Sequence, residues 1–428
     1  MRAGKAVNFY SMKILVVGRG GREHAIITAL HESPTETEIY SFPGSDAIFQ
    51  IAKGVDADGL PGLIEFMKRE GVELCIAGEE SYLIRDEGLA NACEVAGIPC
   101  WGPPKAVAQL EASKEFAKEF MVRHGIPTGT YDAVESIEDA RRAMGGNYPT
   151  VLKFDGLAAG KGVAVCPNEA TAEQFLDEVL VQRKFGAGRL LVEEFLDGPE
   201  ISIFASVVND DYQILAPARD YKRIGDGDEG PNTGGMGAVS SLEMFESEAM
   251  REEIDRLIVR PTIDGLKNDG LPYRGFLYFG IMLTGDGPKI LEYNCRFGDP
   301  EAQAVLPIIE GDFANYVFEG ARGNLRPDLI HFRDGWSICL VSASAGYPAS
   351  SHSGDEITGL DTLEDARIFH AGTRLNADGN FETAGGRVYA IVAHGKSRLD
   401  AVEKVYAESD KVCFDGMQRR SDIGTANF

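Results

Sequence analysis

The chain of 428 residues has little positive charge, few cysteines and no long apolar run. Its 42 lysines and arginines face 67 aspartates and glutamates, a formal net charge of −25. That balance argues against a nucleic-acid binder, which would present a basic face. It leaves anionic small substrates open, because local lysines and arginines set the potential inside a cleft. No apolar stretch approaches the length of a membrane span. Met1 to Ser11 lack the apolar region and cleavage site of a signal peptide. The seven cysteines (Cys75, Cys93, Cys100, Cys166, Cys295, Cys339 and Cys413) are scattered and include no Cys-x-x-Cys pair. This argues against a disulfide framework or a zinc site, and for a reducing compartment. The histidines form no ligand spacing, so His24, His124 and His370 are expected to be structural or surface residues. A Walker A loop is missing, and no Ser/His/Asp or Cys/His arrangement can be asserted. The cytoplasm is the expected location.

What is present is an ordinary globular composition, 44% hydrophobic and 25% charged, long enough for two to four domains. From Lys13 apolar strands alternate with amphipathic helices: strands at Ile14–Val17, Glu38–Phe42 and Leu74–Ala77, helices near Arg22–His31, Leu63–Glu70 and Leu83–Ala96. Such βαβ alternation predicts a doubly wound parallel sheet covered on both faces. Gly102-Pro-Pro104 punctuates a first boundary. Pro127–Phe195 is predicted to be a small α+β unit, with glycine-rich turns between its elements. A long helix is expected over Glu246–Asp269, before strands at Gly275–Leu283 and Lys289–Asn294. A third unit begins near Pro327, and Trp336–Ala343, Ile368–Ala371 and Arg387–Ala393 are expected to form its own sheet. The fold class is therefore α/β with α+β parts.

The strongest chemical signal is Ile290-Leu-Glu-Tyr-Asn-Cys-Arg-Phe-Gly-Asp-Pro-Glu301. Strand alternation puts Glu292, Asn294 and Arg296 on one face and Leu291, Tyr293 and Cys295 toward a core. A carboxylate beside an amide oxygen suits Mg²⁺ (or Mn²⁺), and an arginine suits a phosphoryl group. In Val151-Leu-Lys-Phe-Asp-Gly-Leu-Ala-Ala-Gly-Lys-Gly162, Lys153 and Asp155 share a strand face. The glycines Gly156, Gly160 and Gly162, with Lys161 among them, make a loop able to fold over phosphates. Gly18-Arg-Gly-Gly-Arg-Glu-His24 is either a tight strand–helix turn or a phosphate site; Glu23 replaces the last glycine of a dinucleotide fingerprint. Leu191 to Glu200 leaves a strand through a hinge. Arg219-Asp-Tyr-Lys-Arg223 leads into Gly230-Pro-Asn-Thr-Gly-Gly-Met-Gly237, where Asp220 suits an ammonium and Lys222 an anion.

These stretches, with Gln109-Leu-Glu-Ala-Ser-Lys114, Phe369-His-Ala-Gly-Thr373, Gly385-Gly-Arg-Val388 and Arg420-Ser-Asp-Ile-Gly424, resemble one family. It is the phosphoribosylamine–glycine ligase (glycinamide ribonucleotide synthetase) family of the ATP-grasp superfamily. The resemblance runs from Met12 to the C-terminus. It implies a pre-ATP-grasp α/β domain over 12–112, a two-subdomain nucleotide clamp over 113–326 with a lid near 127–195, and a small β-rich domain over 327–428. It implies ligation of glycine to 5-phosphoribosylamine through glycyl phosphate, with ATP as substrate and Mg²⁺ as cofactor, in purine biosynthesis.

By position, the resemblance implies that Lys114, Lys153, Gly160, Lys161 and Gly162 serve the ATP phosphates. Glu193, Glu194, Phe195 and Leu196 would frame the adenine, and Glu200 the ribose. Glu292 and Asn294 would be the metal ligands, with Arg296, Asp220 and Lys153 as candidate catalytic residues. Gly18, Gly20, Gly21, Asp220, Lys222, Thr233, Gly234, Gly235, Met236, Gly237 and Arg296 would face the glycine, amine and sugar phosphate. Three segments depart from the family pattern: Arg219-Asp-Tyr221 for Gln-Asp-His, Gly78-Glu-Glu-Ser-Tyr-Leu83 for Gly-Pro-Glu-Ala-Pro-Leu, and Pro43-Gly-Ser-Asp-Ala47 for Pro-Gly-Asn-Ala-Gly. A ligase for a different amine or sugar, a biotin-carboxylase-like enzyme and a nucleotide sensor without turnover are the alternatives. A monomer or weak dimer with small-molecule partners, and without nucleic acid or membrane, is expected.

Overall fold

The computed structural model describes residues 11–158 and 162–425. Gly160 and Lys161 of the predicted phosphate loop therefore lie outside the described residues, as does nearly all of the N-terminal leader. No helix among the described residues is long and apolar enough to cross a membrane.

The N-terminal part is a five-stranded parallel sheet in the order Lys53–Gly54, Thr37–Pro43, Met12–Gly18, Leu74–Ala77, Cys100–Trp101. Its central strand feeds two cores. Leu15 and Val17 pack with Leu60, Leu63 and Met67 of the helix Gly59–Glu70. Ile14 and Val16 pack with Ala25, Ile26 and Leu30 of the helix Gly21–His31. Burial on both faces is why these strands are apolar at nearly every position. The helix predicted over Leu83–Ala96 is broken into Ser81–Ile84 and Leu89–Ala96. Asp86 and Gly88 take positive φ between the pieces, at 48° and 86°, and an α-helix cannot run through them.

The predicted lid is a four-stranded antiparallel sheet in the order Tyr131–Val134, Leu190–Glu194, Thr150–Phe154, Val163–Cys166. Helices Ile137–Met144 and Glu169–Leu176 cover it through Ala140, Met144, Ala172 and Leu176. The first of these starts where the Ser136 hydroxyl accepts from the Asp139 N–H, and ends at left-handed Gly145.

A nine-stranded antiparallel sheet forms the floor of the molecule. Among the described residues the third unit has no separate main sheet, contrary to expectation. Trp336–Ala343 pairs directly with Gly237–Ser240, so the strands of the C-terminal part extend the floor. Both strands are buried along their whole length, and neither could stand as a solvated edge. An aromatic chain ties the floor to the N-terminal sheet: Trp101 meets Phe276 at 5.2 Å between centroids, and Phe276 meets Phe297 at 4.2 Å. Contacts of this kind contribute about 1 kcal/mol each beyond burial. Here they also fix the backbone next to Arg296.

Candidate active site

One cleft of about 590 Å³ lies between the lid, the floor and the N-terminal sheet. Its floor is the strand Gly287–Asn294, where Glu292 and Asn294 face the cavity and Tyr293 is buried, as predicted. Leu291 does not point toward the core as expected. Glu292 pairs with Gly280 but Ile290 pairs with Ile281, so Leu291 is the extra residue of a β-bulge. Ile290 fills the core in its place, while Leu291 lines the cleft and its carbonyl accepts from Lys153 Nζ at 3.0 Å.

The hydrogen-bond network sets the Asn294 amide with Nδ2 donating to Glu111 Oε1 at 3.1 Å and to the Tyr293 carbonyl at 3.2 Å. That leaves Oδ1 on the opposite side of the amide. A carboxylate two residues from an outward amide oxygen is a fitting donor set for a hard divalent cation.

Lysines surround this pair. Lys114 begins the helix Lys114–Arg123, whose first turn is held by the lid: its backbone N–H donates to Asp155 Oδ1 at 2.5 Å, and its Nζ donates to the Gly156 carbonyl at 3.0 Å. Burial pushes the Lys114 pKa down, and Glu292 opposes the shift. Lys153 does not itself line the cavity, but its Nζ reaches Glu193 Oε2 at 3.0 Å. The same oxygen takes Lys118 at 2.9 Å, and Glu193 Oε1 is buried with no hydrogen-bond partner among the described residues. Lys118 was missed at the sequence level; a lysine one turn beyond Lys114 gives no sign that it is buried.

Arg296 is gripped by two carboxylates, Glu80 at 3.0 Å and Glu111 at 2.6 Å. Arg22 approaches Glu80 at 3.5 Å and binds Glu23 at 2.6 Å. The two acids sharing Arg296 are driven apart. Glu111 is pushed up to about 7 by burial, against the pull of Arg296. Glu80 is held down to about 2, because Arg296 and Arg22 outweigh its own burial. Both acids lie inside segments quoted above, but neither is among the residues expected at the site.

On the far wall, Asp220 Oδ1 is buried and has no hydrogen-bond partner among the described residues, and Lys222 Nζ lies 3.6 Å from Oδ2. Burial drives the Asp220 pKa well up, with Lys222 opposing. Lys222 is also paired closely with Glu200. Thr233 and Gly234 line the cleft. Their loop is pinned by the C-terminal part: the Gly234 N–H donates to Tyr347 Oη at 2.9 Å, and Arg387 donates to the Gly234 and Asp299 carbonyls. Asp299, Glu301 and Arg387 also line the cavity.

Not every predicted residue is brought here. Met236 is fully buried and Gly237 belongs to a floor strand paired with Leu340, so neither side of that pair lines the cleft. Gly235 lies against Pro300 and Asp220. Of the three glycines of the opening turn only Gly20 lines the cavity, beside Arg19, Arg22 and Glu23, and its N–H is taken by Glu23 Oε2 at 2.7 Å. Gly18 and Gly21 are packing positions: a Cβ there would meet Glu23 Cγ at 2.4 Å and Gln303 Nε2 at 2.6 Å. Glu194, Phe195, Leu196 and Glu200 are not among the cavity's lining residues, whereas Gly162 is. Glu194 accepts from the Thr130 N–H at 3.0 Å. Of the departures, Tyr221 is buried beneath Arg420, with its hydroxyl accepting from the Gly424 N–H at 3.1 Å.

Comparison with known proteins agrees with this geometry. Family models of phosphoribosylglycinamide synthetase match as its N domain over 12–111, its ATP-grasp (A) domain over 112–302 and its C domain over 337–426. A phosphoribosylamine–glycine ligase of Caldanaerobacter subterraneus subsp. tengcongensis is 40% identical over 96% of this chain and 99% of its own. The crystal structure of phosphoribosylamine–glycine ligase from Thermotoga maritima superposes with a TM-score of 0.83 at 34% identity, covering 96% of this chain and 100% of that one. The biotin carboxylase domain of Hydrogenobacter thermophilus 2-oxoglutarate carboxylase, solved with MgADP and bicarbonate, shares the fold. Its TM-score is 0.71 at 20% identity, over 96% of this chain and 92% of that one. With its three domains matched in order and relatives alike over nearly its whole length, this chain belongs to the phosphoribosylamine–glycine ligase family.

Proposed function

We propose that the cleft joins glycine to 5-phosphoribosylamine with cleavage of ATP, forming glycinamide ribonucleotide, ADP and phosphate. A carboxylate is a poor acyl donor. One carboxylate oxygen of glycine therefore first takes the γ-phosphoryl group, giving glycyl phosphate and ADP. The amine nitrogen then attacks the carbonyl carbon, loses a proton, and expels phosphate. Such a route asks the protein for positioning and charge neutralisation more than for a covalent nucleophile.

The residues divide accordingly. Lys114 and Lys153 neutralise ATP phosphates, with the Gly156–Gly162 loop, including Gly160 and Lys161, closing over them and keeping water from the acyl phosphate. The backbone of 193–196 frames the adenine, Glu193 Oε1 suits an amino donor, and Glu200 suits the ribose. Glu292 and Asn294 would hold Mg²⁺ (or Mn²⁺), which supplies countercharge to phosphate oxygens when bound. Arg296, aimed by Glu80 and Glu111, takes the phosphoryl group in transfer. Asp220 receives the glycine ammonium, whose charge favours the carboxylate against the effect of burial, with Thr233 and Gly234 beside it. Arg19, Gly20 and Arg22 face the sugar phosphate. The domains divide at 112 and 326, and the protein works in the cytoplasm as a monomer or weak dimer.

The observation that carries this reading is the unpartnered Asp220 Oδ1, an ammonium acceptor in the same cleft as Glu292, Asn294 and Arg296. The test is phosphate release from Mg-ATP with glycine and freshly generated phosphoribosylamine, each omitted in turn. Turnover should need both. Turnover that ignores the amine, or needs bicarbonate instead, would refute the reading.

A further inference from the structure

Three of the seven cysteines, on two strands and the helix between them, meet in the fold. Cys75 and Cys100 sit on neighbouring parallel strands in direct register, so their side chains leave the same face of the sheet. Cys93 lies on the helix Leu89–Ala96, which covers that face. The three sulfur atoms all lie within 4.8 Å of one another. All three are free thiols; Cys75 and Cys93 are fully buried, while Cys100 is partly exposed. None of them lines the ligase cleft.

A buried cysteine ordinarily behaves as a small hydrophobe. Packing alone does not require three sulfurs to converge from two strands and a helix. We propose that Cys75, Cys93 and Cys100 form a three-thiolate site for a soft, thiophilic d¹⁰ cation of the Zn²⁺ and Cd²⁺ kind. Three sulfurs bound at about 2.3 Å around one ion stand roughly 4 Å apart, so closure asks for no more than about half an ångström from each. The donor set is all sulfur, which selects against the hard Mg²⁺ that ATP brings. Binding a divalent ion expels the three thiol protons, so uptake weakens as pH falls. The exposed side of Cys100 is the entry path. The site would clip the helix Leu89–Ala96 to the sheet edge, and it stands independently of the ligase reading.

The test titrates the whole protein with Cd²⁺ alone, in a phosphine reductant and excess Mg²⁺, following the ultraviolet thiolate-to-cadmium band. One tight equivalent with the intensity of three thiolates, and a raised Tm, is the expected result. Cys100→Ser, the mildest of the three changes because that side chain is partly exposed, should weaken uptake at least tenfold and lower the band. Cys413→Ser, at the exposed cysteine, should leave both unchanged. No tight equivalent, a band that survives Cys100→Ser, or a band that disappears with Cys413→Ser would each overturn the proposal.

Discussion

Replacing Glu193 by glutamine keeps the shape of the side chain and removes its charge. In the native protein one oxygen, 4% exposed as part of its side chain, holds two ammonium groups at 2.9 and 3.0 Å. With an effective dielectric of about 20, each attraction is roughly 5–6 kcal/mol before the cost of desolvation. Removing one partner of a buried ion pair leaves an uncompensated charge, for a net loss of about 3–5 kcal/mol. The damage should be local, because Lys153 and Glu193 sit on the lid sheet and Lys118 on the helix beside it. Hydrogen exchange in the strands Thr150–Phe154 and Leu190–Glu194 should accelerate by roughly two to three and a half orders of magnitude. The N-terminal sheet should change little. The pH dependence has a definite sign. Burial already pushes the Lys118 pKa down, and Glu193 opposes that. Without Glu193 the folded state binds Lys118's proton less well than the unfolded state, so the deficit shrinks as pH rises. A loss under about 1 kcal/mol, unchanged between neutral and alkaline pH, would mean the lysines are solvated and the triad is misread.

Other expectations follow from single contacts. Glu292→Ala should abolish Mg-dependent turnover with the unfolding transition unchanged; retained activity would remove Glu292 from the metal site. Gly235 has φ of 106°, and a Cβ there would sit 2.4 Å from Pro300 Cδ and 2.6 Å from Asp220 Oδ1. Gly235→Ala should therefore cost about 1–3 kcal/mol in backbone strain and raise KM for glycine more than for ATP. His24 and His370 are held neutral by burial, with pKa values lowered to about 4 and about 3. Their unfolded forms take up protons near pH 6.5, so stability is complete above that value and falls as pH drops toward 4. The loss is about 3 kcal/mol for His24 alone. A flat unfolding profile over that interval would contradict the burial argument.

How much was legible depended on the range of the forces involved. Strand alternation located Glu292 and Asn294 on the cavity face, since period two is a local property. Leu291 could not be placed that way. Its bulge exists because Gly280 and Ile281 on the partner strand are matched to Glu292 and Ile290, and the partner is not written in the local pattern. The same reason hid the joining of Trp336–Ala343 to Gly237–Ser240, and the convergence of Cys75, Cys93 and Cys100. A glycine-rich stretch reads as wholly loop, whereas Met236 is buried and Gly237 opens a buried strand. Lys118 was invisible for an electrostatic reason: a lysine is buried only beside a counter-charge, and its counter-charge, Glu193, is distant in the chain.

The central claim is that glycine is activated as an acyl phosphate in this cleft. Glycine carrying heavy oxygen in both carboxylate positions, turned over with unlabelled Mg-ATP and phosphoribosylamine, tests it most directly by mass spectrometry of the released phosphate. The account predicts one labelled oxygen in each phosphate formed, the other remaining in the amide product. Phosphate released without label, while the amide forms at the normal rate, would contradict it.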